Sequence, residues 1–212
     1  MKRLGILLSG RGSNFAAILR AVRTGAIDAE IALVISNRAA AEGLATARAA
    51  GLPTMVFPSA GIEREAYDRQ LISALQDARV DLVCLAGYMR LLSAQFVRAF
   101  EGRILNIHPS LLPAFPGLDA QHQALQHGAK ITGCTVHFVD EYLDAGPIVM
   151  QAAVAIEDDD TLETLSGRIL AEEHRIFPMA VARIVSGDYR LDGRRVLSGA
   201  HLDKGAGPEV IG

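Results

Sequence analysis

The stretch "RLGILLSGRGSNFAAILRAVRTG", Arg3 to Gly25, decides the fold class. Its apolar run "LGILL" has the length of a buried strand and is closed by Ser9-Gly10. Beyond the glycines, Phe15, Ile18, Leu19 and Val22 recur at helical spacing, and Gly25 supplies a stop. A strand, a glycine turn and a helix in that order form the opening unit of a doubly wound α/β sheet. The turn there offers main-chain N–H groups and a helix N-terminus to an anion.

The same alternation continues outward. "EIALVIS" (30–36), "PTMVF" (53–57), "VDLVCLAG" (80–87) and "RILNIH" (103–108) read as strands, and the spacing predicts helices near 41–50, 63–78, 93–100 and 119–127. The expected architecture is a Rossmann-like, mostly parallel sheet flanked by helices. Past Gly128, "ITGCTVHFV" (131–139) and "GPIVMQAAVAI" (146–156) are strand-like and enclose an acidic loop, "DEYLDA". "DDDTLETLSGRILAEEHRIFPMAVARIV" (158–185) is expected as one long helix with a possible bend point at Pro178. From Gly187 the chain is turn-rich, and Gly205 and Gly207 lie in an end expected to fray.

Composition narrows the function classes. Lys and Arg number 21 against 24 Asp and Glu, a net charge of -3, so no broad basic field is present to hold a nucleic-acid backbone. The apolar runs fall well short of the roughly 20 residues of a spanning helix, and the N-terminal one is too short for a signal peptide. A cytoplasmic chain with neither membrane nor nucleic-acid partner is expected. Cys84 and Cys134 stand alone in apolar surroundings, which reads as buried, reduced thiols.

The loop "SGRGSNF" is not a dinucleotide fingerprint, because Phe15 stands where the third glycine belongs. Nor does Gly-Lys-Ser/Thr follow, as a P-loop requires. A single phosphate held by Gly12, Ser13 and Asn14, with Arg11 near, is the economical reading; the alternative is a tight turn with a Ser or Asn cap.

A second feature is "ILNIHPSLLPAFPG", Ile104 to Gly117. Residues two apart on a strand share a face, so Asn106 and His108 project together, and Pro109 ends the ladder. An amide donor beside an imidazole suits acyl-type transfer: one holds a developing oxyanion, the other moves a proton near neutral pH. An orienting acid is to be sought in "VDEYLDAGP", where spacing leaves Asp140, Glu141 and Asp144 open. A metal set of His137, Asp140 and Asp144 lacks an H-x-x-x-H pair or clustered cysteines, so no metal is expected.

Taken in order, "LLSGRGSNF", "REAYDRQL", "DLVCLAGYMRLLS", "ILNIHPSLLPAFPGLDAQHQAL", "GCTVHFVDEYLDAGPIVMQ" and "EEHRIFP" closely resemble the phosphoribosylglycinamide formyltransferases, the folate-dependent transformylases of purine synthesis. The resemblance implies N10-formyltetrahydrofolate as co-substrate and glycinamide ribonucleotide as acceptor, in a monomer or homodimer. It implies Asn106, His108 and Asp144 as the catalytic trio, Gly12, Ser13 and Asn14 at the acceptor's phosphate, and Glu173 at its ribose. Met89, Arg90, Leu91 and Leu92 would line the folate pocket with Asn106 and with Asp140, Glu141, Tyr142, Leu143 and Asp144, main-chain groups reading the pterin. Arg64 would meet the folate's glutamate tail.

One domain over 1–212 is expected, with 1–100 as the phosphate and substrate half, 101–186 as the catalytic and folate half, and 187–212 as a less diagnostic tail. "NIHPSLLP" is shared with other folate formyl-group enzymes, and the glycine loop, suited to a ribose 5-phosphate, separates the chain from them. A formyltetrahydrofolate deformylase and a non-catalytic folate- or phosphate-binding regulator stand as alternatives. Asp119 and Gln121 replace a His-x-His common in the family, and Leu170 replaces a polar residue found in some members.

Overall fold

The computed structural model describes residues 1–199. Its strands are β1 (Lys2–Leu8), β2 (Ala29–Ser36), β3 (Thr54–Val56), β4 (Leu82–Leu85), β5 (Ile104–His108), β6 (Ile131–Phe138), β7 (Ile148–Ala155), β8 (Arg190–Asp192) and β9 (Arg195–Leu197). The helices are α1 (Ser13–Arg23), α2 (Glu42–Ala49), α3 (Arg64–Asp77), α4 (Ala94–Ala99), α5 (Ala120–Gln126) and α6 (Leu162–Ser186). All strands join one sheet in the order β3-β2-β1-β4-β5-β6-β7-β9-β8. β1 to β5 are parallel, β6 runs antiparallel to both β5 and β7, and β9 pairs parallel with β7 and antiparallel with β8.

Period-two alternation explains the two-sided burial. Leu4, Ile6 and Leu8 of β1 pack with Phe15 and Ile18 of α1, Leu44 of α2, and Leu165, Ile169 and Phe177 of α6. Leu7 enters the opposite layer with Tyr67, Leu71 and Leu75 of α3 and Phe96 and Phe100 of α4. From β1 the chain winds one way to β2 and β3 and then returns to the other side through β4 and β5. Strand order therefore reverses between β1 and β4, and a crevice opens at their carboxyl ends.

Helix ends follow local chemistry. Glu63 caps α3 and Ser93 caps α4 through side-chain acceptors, and Thr161 with Thr164 forms a capping box on α6. α6 continues through Pro178 and ends at Gly187 in a left-handed conformation. Both cysteines are buried and free, and burial pushes each thiol up to about 12.

The turn-rich reading of the tail is corrected over 190–197. Asp192-Gly193 opens a two-residue turn, Asp192 pairs with Arg195 and Arg190 with Leu197, and the resulting hairpin extends the sheet beside β7. Gly205 and Gly207 lie outside the described residues.

Candidate active site

Asn106, His108, His137 and Asp144 meet at the carboxyl end of β5. Asn106 and His108 share a face of the strand as their spacing predicts, while Ile107 packs into the core. The antiparallel register sets His137 of β6 directly opposite Asn106 and Thr135 opposite His108. Cross-strand partners lie on one face. In the sequence His137 stands out only as a member of the metal set; strand alternation marks its face, but the register that pairs it with Asn106 is a tertiary fact.

The proton positions follow from the partners. His137 Nδ1 lies 2.9 Å from the Phe138 carbonyl, which can only accept, so Nδ1 carries the proton. His137 Nε2 is left to accept from the Asn106 amide at 3.2 Å. Burial holds the His137 imidazole below its ordinary range, in keeping with this neutral tautomer. Asn106 thereby spends one N–H on orientation and retains the second.

Asp144 stands between the imidazoles, Oδ2 being 3.5 Å from His108 Nδ1 and Oδ1 3.7 Å from His137 Nε2. Its backbone is left-handed, with φ of 48°, a conformation that Asp tolerates better than most residues. The Gly117 N–H donates to its Oδ2 at 2.8 Å. Two further contacts hold this loop. Arg194, at the tip of the β8–β9 hairpin, donates to the Ala145 carbonyl. Gly146 lies so close to Phe138 that a Cβ there would fall 1.8 Å from the Phe138 oxygen.

Beyond β5, residues 109–117 fold back over His108. The Phe115 carbonyl accepts from His108 Nε2 at 2.9 Å, and Ser110 Oγ donates to the Ala114 carbonyl at 2.6 Å. Thr135 Oγ1 accepts from the Leu112 N–H and donates to the Ser110 carbonyl, while Gln151 donates to both Leu112 and Thr135. The three prolines of this stretch thus belong to a fixed loop rather than to a sheet.

The glycine loop lies across the crevice. Gly12 is the left-handed N-cap of α1, with φ of 75°, and provides no side-chain cap for the first turn. A Cβ on Gly12 would come within 2.6 Å of the Gly43 Cα, so a larger residue would part the two helix starts. Among the described residues the N–H groups of Ser13, Asn14 and Phe15 meet no acceptor, and they form a ready anion cradle. Asn14 Nδ2 donates to Glu173 Oε2 of α6 at 2.7 Å, joining two expected site residues 159 positions apart. Burial raises the Glu173 carboxyl above the usual carboxylate range, and the Asn14 bond opposes the shift.

The remaining expected residues form the other bank. Met89 to Leu92 are an irregular strip after β4, tied to the glycine loop where the Met89 N–H donates to Ser9 Oγ at 2.9 Å. Met89, Leu91, Tyr142 and Leu143 are exposed apolar side chains, and Asp140 accepts from the Tyr142 N–H at 2.9 Å in a tight turn. Glu141 pairs with Arg98 of α4 at 3.0 Å. The Arg90 guanidinium is engaged with the Ser59 and Ile62 carbonyls, so residue 90 has its main chain left to offer a ligand. Arg64, exposed at the start of α3, contacts none of the other expected site residues through a hydrogen bond or ion pair among the described residues. Asp119 serves as the left-handed N-cap of α5.

Comparison with known proteins supplies the context. The profile of the family described as Formyl transferase matches residues 2–181. The trifunctional purine biosynthetic protein adenosine-3 of Drosophila melanogaster is 52% identical over 88% of this chain, but the match spans only 14% of that much longer protein. Phosphoribosylglycinamide formyltransferase of Escherichia coli is 43% identical over 90% of this chain and 94% of its own length. Among solved structures, glycinamide ribonucleotide transformylase 1 from Symbiobacterium toebii superposes with a TM-score of 0.91 at 54% identity, covering 93% of this chain and 94% of that one.

Proposed function

The chain belongs to the formyl transferase family, and we propose that it moves the formyl group of N10-formyltetrahydrofolate to the amine of glycinamide ribonucleotide in purine synthesis. The observation that carries this reading is the pairing of an uncapped α1 N-terminus, fitted to a phosphate, with Asn106, His108 and Asp144 across one crevice. A deformylase needs only the second half of that arrangement. The relatives named as phosphoribosylglycinamide formyltransferases favour the transferase as well.

In this reading Gly12, Ser13 and Asn14 take the acceptor's phosphate, and Glu173 takes its ribose hydroxyls. The strip 89–92 and the loop 140–144 receive the folate between apolar side chains and free main-chain groups. Arg64 is left for the carboxylates of the folate tail.

The acceptor amine attacks the formyl carbon, a C–N bond forms, and the carbonyl oxygen becomes an alkoxide. Asn106 donates its unspent N–H to that oxygen, and its geometry is set by His137. His108 shares the oxyanion once its Nε2 parts from the Phe115 carbonyl, and Asp144 balances the imidazolium. Collapse breaks the bond from carbon to the folate nitrogen, and the proton lost by the amine passes to that nitrogen. Alignment and oxyanion stabilisation supply the rate, with no covalent enzyme intermediate.

Absorbance of released tetrahydrofolate, followed with and without glycinamide ribonucleotide, tests the reading. Release that depends on the acceptor is expected. Equal release in its absence assigns the hydrolase, and binding of either ligand without release assigns a regulator.

A further inference from the structure

The strip Met89–Leu92 presents main chain without a ladder. Arg90, Leu91 and Leu92 enter no backbone–backbone hydrogen bond among the described residues, and they lie in neither strand nor helix. Unpaired N–H and C=O groups at a crevice can read a heterocycle only if their positions are held by something else.

Beside the Ser9 tie at Met89 and the Ser59 and Ile62 carbonyls at Arg90, one adjacent pair on α3 holds them. Asp68 is fully buried, and its Oδ2 accepts from the Ser93 N–H at 2.6 Å. Ser93 in turn caps α4 through Oγ. Tyr67, also fully buried, carries the Arg90 guanidinium 4.5 Å above its ring centre. Its hydroxyl donates to the Phe57 carbonyl at 2.9 Å and receives the Tyr88 hydroxyl at 3.4 Å. Residues 88, 90 and 93, which bracket and interrupt the strip, thus all anchor on Tyr67-Asp68.

We propose that Tyr67 and Asp68 are positioning residues for the formyl donor, fixing the main chain of 89–92 in its ligand-reading form before folate arrives. The proposal rests on the folate role of that strip given above. Among the described residues Asp68 Oδ1 is buried without a hydrogen-bond partner, a cost that an apolar side chain would avoid. Its Oδ2 instead makes a short bond with the Ser93 main-chain N–H, and that bond ends the strip. Among the described residues, Tyr67, Asp68 and their partners make no hydrogen bond to Gly12–Phe15 or to Glu173, and the strip's tie to the glycine loop stops at Ser9, so the effect is expected at the donor.

The test is steady-state kinetics of the whole chain with both substrates varied. Asp68→Ala is expected to raise the donor's KM by about tenfold while leaving the acceptor's KM and the saturated kcat close to wild type. Asp68→Asn keeps a carbonyl oxygen for the Ser93 N–H and is expected to restore the donor's KM to within about twofold. Amide hydrogen exchange at Ser93 should accelerate in Asp68→Ala and not in Asp68→Asn. Tyr67→Phe, which keeps the ring beneath Arg90 and removes only the hydroxyl, covers the case in which Asp68→Ala does not fold; a donor KM raised severalfold with the acceptor KM unchanged is expected. Parallel increases in both KM values, an unchanged donor KM in a folded variant, or an Asn variant as impaired as Ala would overturn the proposal. Absence of transfer by the wild-type chain would instead overturn the functional reading on which it rests.

Discussion

Asp144 is the residue on which the site's charges converge, with an imidazole 3.5 Å from one carboxylate oxygen and a second imidazole 3.7 Å from the other. Asp144→Asn keeps the shape and the Gly117 contact but removes the charge that balances an imidazolium at His108. The expected outcome is a fall in kcat of roughly a hundredfold or more with little change in thermal stability, read by kinetics and calorimetry side by side. Near-normal turnover across neutral pH would count against the assignment. Asn106 and His108 were legible because strand alternation is a local rule. The choice of Asp144 over Asp140 and Glu141 was not, since it depends on a left-handed residue inside a loop. His137 was illegible for a related reason: its partner lies 31 positions away, and only the β5–β6 register joins them.

At the scale of elements, α1 begins after its glycine loop with three N–H groups that meet no acceptor among the described residues, and the charge placed beside them decides what binds. Ser13→Asp puts a carboxylate where a phosphate is proposed. Initial-rate measurements are expected to give an acceptor KM raised at least tenfold, with the donor KM unchanged. Unchanged acceptor kinetics would move the phosphate elsewhere. The helices and long strands followed from apolar periodicity, and the helix expected over 158–185 persists through Pro178 as α6, though it starts only at Leu162, where Thr161 caps it. The hairpin β8–β9 was missed although "LDGR" carries an Asp-Gly turn signal. Its strands have three residues each and bury little, so no apolar alternation announced them.

For the whole molecule, stability and function make opposite demands on buried titratable groups. Glu173 has its carboxyl pKa raised by burial, so the native state holds its proton more firmly than the unfolded chain. The stability it contributes is therefore present below about pH 4.5 and lost as pH rises through the native pKa. Above the native pKa its charge is a cost, and Glu173→Gln is expected to raise stability there by about 1 kcal/mol while weakening the acceptor's binding. His137 and His174 have the other sign, because burial lowers both. The unfolded chain binds their protons more readily, so stability is complete above about pH 6.5 and declines as pH falls below it. Melting temperatures measured from pH 5 to 8 for wild type and Glu173→Gln check both signs. The architecture could be anticipated since each βα unit is written locally, whereas the site is assembled from contacts such as Asn14 to Glu173 that no local pattern encodes.

One such contact ties the Asp144 loop to the sheet's outermost edge. Arg194 grips the Ala145 carbonyl from the tip of a short hairpin whose outer strand is wholly exposed, and elements of that kind open first on warming. Release of that grip frees the loop bearing Asp144 while the parallel strands remain intact. Activity should then disappear several degrees below the cooperative melt, which activity and circular dichroism recorded on the same heating ramp can resolve. That result would put the enzyme's working ceiling at the rim of its sheet rather than in its interior.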